Sequence, residues 1–562
     1  MKILSIYPWT HISSSALMVN NKLIAASPEE RFTRVKWTTN FPIHSANWCL
    51  KQAKLSWKDL DRIVIPWNPA ININSSSSRW DSNISWRGEM LSNIPSNIMK
   101  ALNSKPAKNM TLSFDKNKIV YLNHHECHIA SGIFTSSFKK CDFLTIDGHG
   151  EKETCVTGYY DGKKLIKTNS ISYPHSVGLL YGTFTDFLGF KPDNDEWKTM
   201  ALASYSAKKN FYDNKIQSIY NLTKDGFELD LSYFDFYLFD RQKNFYNNKL
   251  IKLFGKPRKK NEKLNLRHFQ IAGALQRAFT RIVFHLLKIT KSKGGKSNNI
   301  VLAGGAAMNC VFNGVLENKS IYQNKFIPPW PDDLGVSIGA VFLMNHMLNR
   351  RNIRENNVYL GPEYSNDEIH DLLKKYKLKY YKSKNLSKEV SIEISKGKLV
   401  GWFQNRMEFT HRALGNRSII ADPRNKSMQD KINKAVKYRE TFRPFAPATL
   451  EHEAHKIFKI KKNLKIEYME KAVFVKKNWV KKIPAVIHVD GTARLQTVNK
   501  SFNSKFFDLI NEFDKITKVP VLLNTSFNLN GEPIVMSPSD AIRTFHTCGL
   551  DILVLQDFII KK

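Results

Sequence analysis

The sequence predicts an α/β protein of two domains, the first made of two related halves facing each other across a cleft. Three observations carry that expectation. A chain of 562 residues, 42% hydrophobic and 12% aromatic, exceeds what one core organises and is well supplied for two or three. A strand, a polar loop and a hairpin follow one another near the N-terminus and again from residue 143. A polar run over residues 345–357 then separates a first domain, residues 1–352, from a second, residues 353–562.

Residues 2–7 read as a strand, and Ala16–Val19 with Leu23–Ala25 read as a hairpin around Asn20-Asn21. Residues 70–116, which include Ser75 to Ser78, have the Ser/Asn composition of an insertion. Phe143–Ile146 form a strand ending in Asp147-Gly148, and Cys155–Tyr160 turns at Asp161-Gly162 into Lys164–Ile166. Duplication of this kind is the pattern of actin-like (ASKHA) and sugar-kinase-like ATPases. Residues 206–266 read as a helical insertion, and Leu266–Leu287 has the apolar spacing of a helix. The strand Ile300–Leu302 leads to the glycine turn Ala303-Gly304-Gly305-Ala306. Beyond the boundary, residues 367–376 make a helix, and the remainder alternates strands with short helices as a separate α/β unit.

No stretch approaches the apolar length that crosses a bilayer, and the first residues lack a charged-then-apolar signal pattern. The six cysteines are scattered without Cys-x-x-Cys spacing, which argues for a reduced, cytoplasmic protein without disulfides. A formal charge of +36 fits a polyanionic partner such as RNA, an anionic glycan or a membrane surface. It fits equally a compositional bias toward Lys, Asn and Ile, because no dense basic block marks one element.

Asn123-His124-His125-Glu126-Cys127-His128 follows a strand and opens a helix. His124 and His128 share a helical face and can grip one metal ion; His125 and His128 are the competing pair, and packing with helix capping is the bland alternative. Asp147, closing a strand before Gly148, and Asp333, before Gly335, add carboxylate oxygens. Two imidazoles and two carboxylates suit Fe2+, Mn2+ or Zn2+.

Two glycine turns, Gly148-His149-Gly150-Glu151 and Gly304-Gly305-Ala306-Ala307-Met308-Asn309, each follow a strand, where backbone N–H groups can meet phosphate. Gly-Gly also marks ordinary tight turns. Gly294-Gly295-Lys296-Ser297 precedes a strand, the reverse of a P-loop. Lys198 is a candidate phosphate lysine or one partner of an exposed salt bridge. In residues 401–450 cations alternate with apolar residues: Arg412 and Arg417 flank Ala413-Leu414-Gly415, and Lys437, Arg439 and Arg443 follow about one short helix later. Guanidinium forks suit planar oxyanions, and Gly415 lets the backbone approach one closely; a surface basic patch is the alternative.

Together the motifs resemble a known family. Glu29-Glu30-Arg31-Phe32-Thr33-Arg34, the histidine stretch, Asp147-Gly148-x-Gly150-Glu151, and Leu302-Ala303-Gly304-Gly305 through Asn309 resemble the NodU/CmcH-type O-carbamoyltransferases. So do Arg412-Ala413-Leu414-Gly415-Asn416-Arg417-Ser418, Arg443-Pro444-Phe445-Ala446-Pro447, His488-Val489-Asp490-Gly491-Thr492-Ala493-Arg494 and Asn524-Thr525-Ser526-Phe527-Asn528. The match runs over nearly the whole chain in the family's order.

The resemblance implies an actin-like metal domain, related to the tRNA threonylcarbamoyl-transferring protein, followed by a YrdC-like domain. It implies that His124, His128, Asp147 and Asp333 hold a metal, Fe2+ first with Mn2+ or Zn2+ as alternatives. It places Gly148, Gly150, Lys198, Gly304, Gly305 and Asn309 around the nucleotide. Arg412, Arg417, Lys437, Arg439, Arg443, His488, Arg494 and Asn524 then bind carbamoyl phosphate and ATP, with Mg2+. The implied reaction forms carbamoyl-adenylate in the second domain and carries the carbamoyl group to a small-molecule or saccharide hydroxyl in the first. His11 is the expected general base, against a structural histidine beside the first strand.

Three departures stand out. His11-Ile12 replaces the family's His-Asp, Thr410-His411 replaces Gly-Pro before Arg412, and Ala201 replaces Gly. The rival readings are a tRNA threonylcarbamoyl-type enzyme, which the basic charge favours, and a non-catalytic actin-like nucleotide-binding protein. The motif set disfavours nucleic acid as a partner, no membrane span is expected, and a homodimer is left open.

Overall fold

A computed structural model describes residues 1–8, 12–69, 71, 116–349, 357–440 and 442–562. The chain forms two compact units, and the division is not linear. The first comprises Met1–Glu29, Trp37–Met308 and Lys319–Asn356; the second comprises Glu30–Lys36, Asn309–Asn318 and Asn357–Lys562. His11, most of the Ser/Asn-rich stretch expected as an insertion, and most of the polar run taken as the boundary lie outside the described residues. Among the described residues, no helix is long and apolar enough to cross a membrane.

The first unit carries the same sheet twice. β1 (Lys2–Tyr7), β2 (Ser14–Val19), β3 (Lys22–Pro28), β4 (Arg62–Ile65) and β5 (Ile119–Tyr121) lie in the order β3-β2-β1-β4-β5. The contacts β3-β2 and β2-β1 are antiparallel, and β1-β4 and β4-β5 parallel. β6 (Cys141–Ile146), β7 (Glu153–Tyr160), β8 (Leu165–Ser172), a separate two-stranded ribbon β9 (Tyr220–Thr223) and β10 (Gly226–Leu229), then β11 (Asn299–Ala303) and β12 (Asn324–Phe326) follow. The second sheet has the order β12-β11-β6-β7-β8 with the same parallel and antiparallel pattern. This repetition is the duplication of an actin-like domain.

Local chemistry explains the elements. Asn20 and Asn21 have φ of 48° and 68°, the left-handed pair that a two-residue hairpin turn requires, so β2 and β3 close where the asparagines stand. The amphipathic helix Leu266–Lys293 is capped by the Asn265 side chain and buries Ile271, Leu275, Phe279 and Leu286. Residues 206–266 differ from the expected helical insertion. They hold the β9–β10 ribbon, 3-10 turns and the short helices Tyr212–Gln217 and Asn248–Phe254. Here the alternation across Gly226–Leu229, buried except at Glu228, is a strand period masked by the surrounding Lys, Asn and aromatic residues.

Two helices cross at backbone contact and fix the site. The helix His124–Ile133 meets the helix Val336–Asn349 at Gly339, where a Cβ would stand 1.8 Å from the Cys127 carbonyl oxygen. The first of these also presses on β11, since a Cβ at Gly132 would stand 2.4 Å from Val301 Cγ1.

The second unit is built on one nine-stranded mixed sheet. Its strands are β13 (Tyr381–Lys382), β14 (Val400–Phe403), β15 (Arg417–Ala421), β16 (Ala446–Leu450), β17 (Lys471–Phe474), β18 (Thr492–Val498), β19 (Val521–Ser526), β20 (Ile552–Leu555) and β21 (Phe558–Lys561). Their order is β13-β21-β20-β14-β15-β19-β16-β18-β17. A continuous core, including Trp402, Leu495, Phe506 and Leu522, is sealed beneath it. The edge strand β17 is covered by the helix Cys310–Lys319: a Cβ at Gly314 would lie 1.8 Å from Ala472 O, and Asn313 donates to Glu470 O at 2.9 Å.

Candidate metal centre and cationic site

In the first unit Asn123 caps the helix His124–Ile133 by accepting from the Glu126 N–H at 3.0 Å. This sets His124 and His128 on one face, with Nε2 atoms 3.1 Å apart. Asp147 leaves the end of β6 and Asp333 opens the turn before the helix Val336–Asn349. Asp147 Oδ2 lies 3.2 Å and 3.3 Å from the two Nε2 atoms, and Asp333 Oδ1 lies 3.4 Å and 3.5 Å from them. One ligand atom from each of the four residues falls within 4.8 Å of the others.

The surroundings orient these donors. His124 Nδ1 faces Pro66 O at 3.3 Å, which directs its Nε2 lone pair at the cluster. Tyr7 donates its hydroxyl to Asp333 Oδ2 at 2.8 Å, and the Gly305 N–H donates to Asp147 Oδ1 at 2.8 Å. Burial opposes protonation of His124, but Asp333 and Asp147 overcome it and hold the imidazole well above its usual range. Two neighbouring imidazolium ions would repel, whereas one divalent cation meets both nitrogens and both carboxylates without conflict. The residues present therefore fit a divalent transition metal.

The competing pair is resolved by His125, whose Nδ1 meets Thr145 Oγ1 at 2.8 Å and whose Nε2 meets Glu153 O at 2.9 Å. Its ring fills the place a Cβ on Gly150 would take, 2.7 Å from Cδ2. Gly304, at φ +90°, donates its N–H to Pro331 O, and Gly305 donates to Asp147. The Gly305 amide thus positions Asp147 and the Gly304 amide holds the Pro331 carbonyl, so neither stands open to a phosphate in this structure. A Cβ at Gly148 would meet nothing within 4 Å. Lys198 pairs with Asp195 at 3.1 Å. Asn309 belongs to the second unit, where its Oδ1 accepts from the Phe312 N–H at 2.9 Å. Glu151, named only as part of its motif, accepts from the backbone N–H of Asn68 at 2.7 Å and of His124 at 2.9 Å, so it anchors the start of the histidine helix.

In the second unit, cations gather with few carboxylates. Burial, then Arg443 and Arg494, push Arg439 well below the usual arginine range, and its Nη2 has no hydrogen-bond partner among the described residues. Burial, then Arg439, Arg443 and Lys36, push Lys437 well below the usual lysine range. Arg494 and Arg412 both act on the buried thiol of Cys310, which places them at the start of the helix Cys310–Lys319. Arg443 pairs with Glu440 at 3.3 Å. Lys36, which sequence reasoning did not single out, arrives on the strap Glu30–Lys36; Arg34 fastens that strap by donating to Ile534 O at 2.7 Å and Pro533 O at 2.8 Å.

Two expected anion contacts are placed otherwise. Arg417 is wholly buried, stacked 3.6 Å over the Phe403 ring, and donates to Asn405 O, Asn416 O and Pro362 O. Its guanidinium ties the loop together. Lys437 donates to Ser526 O at 2.5 Å, Asn528 Oδ1 at 2.8 Å and Asn528 O at 2.9 Å, so all three ammonium hydrogens hold the Ser526–Asn528 turn. The Ala413-Leu414-Gly415 turn is likewise closed to a ligand's backbone approach. Glu408 Oε1 accepts from the N–H groups of Leu414, Asn416 and Arg417 at 2.8, 2.8 and 3.2 Å. Gly415 is required by φ +106° and by Phe506, 2.4 Å from where a Cβ would stand.

The family's N-terminal profile, Carbamoyltransferase N-terminus, matches residues 2–342, and its C-terminal profile, Carbamoyltransferase C-terminus, matches residues 391–562. The "Uncharacterized protein sll1178" of Synechocystis sp. is 35% identical, with 100% of this chain and 96% of that protein aligned. Nodulation protein NolNO of Sinorhizobium fredii is 34% identical over 98% of this chain and 79% of its own length. Nodulation protein NolO of Bradyrhizobium diazoefficiens is 36% identical over 78% of this chain and 79% of its own. The chain belongs to the carbamoyltransferase family and is an enzyme of carbamoyl transfer.

Proposed function

We propose that this carbamoyltransferase is ATP-dependent and delivers the carbamoyl group to a hydroxyl of a small molecule or saccharide, dividing the work between its two units. In the second unit, carbamoyl phosphate loses phosphate to water and leaves carbamate. A carbamate oxygen then attacks the α-phosphorus of ATP, accompanied by Mg2+; the bond to the β-phosphate breaks, giving carbamoyl-adenylate and pyrophosphate. The observation that supports this reading is the gathering of Arg412, Arg439, Arg443, Arg494 and Lys36 close enough to act on one another or on shared neighbours, a set of fixed cations that suits charge growing on phosphate oxygens. Carbamate decomposes in water, so the reaction needs an enclosed site.

In the first unit the acceptor hydroxyl oxygen attacks the carbamoyl carbon, the bond from that carbon to the AMP phosphate oxygen breaks, and AMP leaves while the hydroxyl proton passes to solvent. His124, His128, Asp147 and Asp333 would hold a divalent metal there, which would supply Lewis-acid polarisation when bound. Tyr7 and the Gly305 N–H hold the two carboxylates in place for it. The test is pyrophosphate release from ATP without any acceptor. Release is expected only with carbamoyl phosphate, without added threonine, and is expected to be lost in Arg443→Ala. Absence of release from folded protein, or a threonine requirement, overturns the reading.

A further inference from the structure

The motif Glu29-Glu30-Arg31-Phe32-Thr33-Arg34 contributes no group to either half-reaction, yet both its arginines are built into the second unit. Arg31 is buried, pairs with Glu30 at 2.6 Å and feels the charge of Glu408, the carboxylate that closes the Arg412–Arg417 turn. Arg34 donates through Nη1 to Ile534 O at 2.7 Å and through Nη2 to Pro533 O at 2.8 Å, while its Nε faces Asp540 Oδ1 at 3.5 Å. These acceptors are themselves fixed. Asp540 Oδ2 accepts from the Ser537 N–H at 3.0 Å at the start of the helix Pro538–His546. Asn528 Nδ2 donates to Glu532 O at 2.7 Å, one residue before Pro533.

The anchor leads back to the cationic site. Asn528 is the residue whose oxygens hold the Lys437 ammonium, and Lys36, two residues beyond Arg34, acts on Lys437 by its charge. Hydrogen bonds and peptide links thus run from Lys437 through Asn528, Glu532, Pro533 and Arg34 to Lys36. Lys437 is buried and Lys36 exposed, and Arg439 and Arg443 already repel a further cation there. A flexible, strongly hydrated lysine left to itself turns away from such a field into water. The backbone that carries it is unusual. Arg34 and Trp37 have φ of 61° and 58°, so both residues flanking Val35-Lys36 stand in the left-handed region without being glycine. That bend is unfavourable for bulky side chains and persists only where the surroundings hold it. Arg34 supplies the hold.

Resting on the phosphate chemistry proposed above for the second unit, we infer that Arg34 is a positioning residue: through its bonds to Pro533 O and Ile534 O it holds Lys36 on the solvent side of Lys437, where the lysine's charge meets an entering phosphate. Arg34 itself touches no substrate, since its guanidinium is committed to the two carbonyls and to Asp540. The anion site of the second unit is then incomplete without the strap Glu30–Lys36, whose anchoring arginine stands 500 residues before Ile534 in the chain.

The test is titration calorimetry of the intact protein with pyrophosphate, on wild type, Arg34→Ala, Lys36→Ala, the double variant and Arg34→Lys. Arg34→Ala and Lys36→Ala are each expected to weaken binding by about 5- to 10-fold. The double variant is expected to match Lys36→Ala within about 2-fold, because Arg34 acts only through Lys36. Arg34→Lys keeps a donor for one of the two carbonyls and recovers part of the loss. Should Arg34→Ala fail to fold, Arg34→Lys with Lys36→Ala forms the same cycle. Losses that multiply in the double variant assign Arg34 a structural role and overturn the inference. So does wild-type affinity in either single variant, or a wild type that does not bind pyrophosphate. A cycle that follows the expected pattern in a protein that releases no pyrophosphate from ATP leaves this inference standing and removes the proposed reaction. Multiplied losses in a protein that does release it remove this inference alone.

Discussion

Replacing Glu408 by alanine removes the one oxygen that three buried N–H groups share. Glu408 is 3% exposed, so its bonds to Leu414, Asn416 and Arg417 are not screened by solvent. A hydrogen bond to a charged group contributes about 1.5–3 kcal/mol, and three on one oxygen are not additive, which puts the loss at about 4 kcal/mol. The guanidinium groups of Arg31 and Arg417 also lose a neighbouring charge, which adds to the cost. Glu408→Gln retains an acceptor of lower strength and is expected to lose about 2 kcal/mol. Urea denaturation followed by a probe of the second unit reads both values. A Glu408→Ala protein within about 1 kcal/mol of wild type would refute the argument that this carboxylate organises the Arg412–Arg417 turn.

Three further outcomes follow from the geometry. Tyr7→Phe removes the hydroxyl that orients Asp333, and metal content after dialysis against a buffered metal series is expected to show about 10-fold weaker binding; unchanged affinity contradicts the orienting role. An anion entering the cationic site offsets the charges of Arg439, Arg443 and Lys36, which after burial depress the Lys437 pKa, and so raises it without contacting Lys437; binding then takes up protons and pyrophosphate affinity falls as pH rises through the free-state value; calorimetry in two buffers of different ionisation heat reads the sign, and proton release contradicts it. Gly415→Ala forces a Cβ to within 2.4 Å of Phe506 Cδ1 at φ +106° and is expected to cost about 2–4 kcal/mol, measured by the same denaturation.

The meeting of His124, His128, Asp147 and Asp333 was legible because its signals are local: an i, i+4 histidine pair opening a helix, and aspartates before glycine at the ends of elements. The duplicated sheet was legible through strands and hairpin turns, with Asn20-Asn21 the clearest. Residues 206–266 were not, since the strand alternation at Gly226–Leu229 is too short to stand out from mixed Lys and aromatic sequence. Placement across the chain was also hidden. Glu30–Lys36 and Asn309–Asn318 join the second unit through contacts with residues such as Pro533 and Glu470, and nothing in their own composition records that. The destination of a donor is equally invisible. Arg417 and Lys437 sit in a run of cations like Arg439, yet their hydrogens are taken by backbone and side-chain oxygens, and only the folded geometry separates a cation that holds a loop from one that faces a ligand.

The division of labour between the two units is tested most directly by separating the half-reactions in Asp333→Asn and Arg443→Ala. Pyrophosphate release and carbamoyl transfer to an acceptor would be followed in parallel. Asp333→Asn is expected to keep carbamoyl phosphate-dependent pyrophosphate release and lose transfer, while Arg443→Ala loses both. Loss of pyrophosphate release in folded Asp333→Asn, or its persistence in Arg443→Ala, would contradict the assignment of adenylate formation to the second unit and transfer to the first.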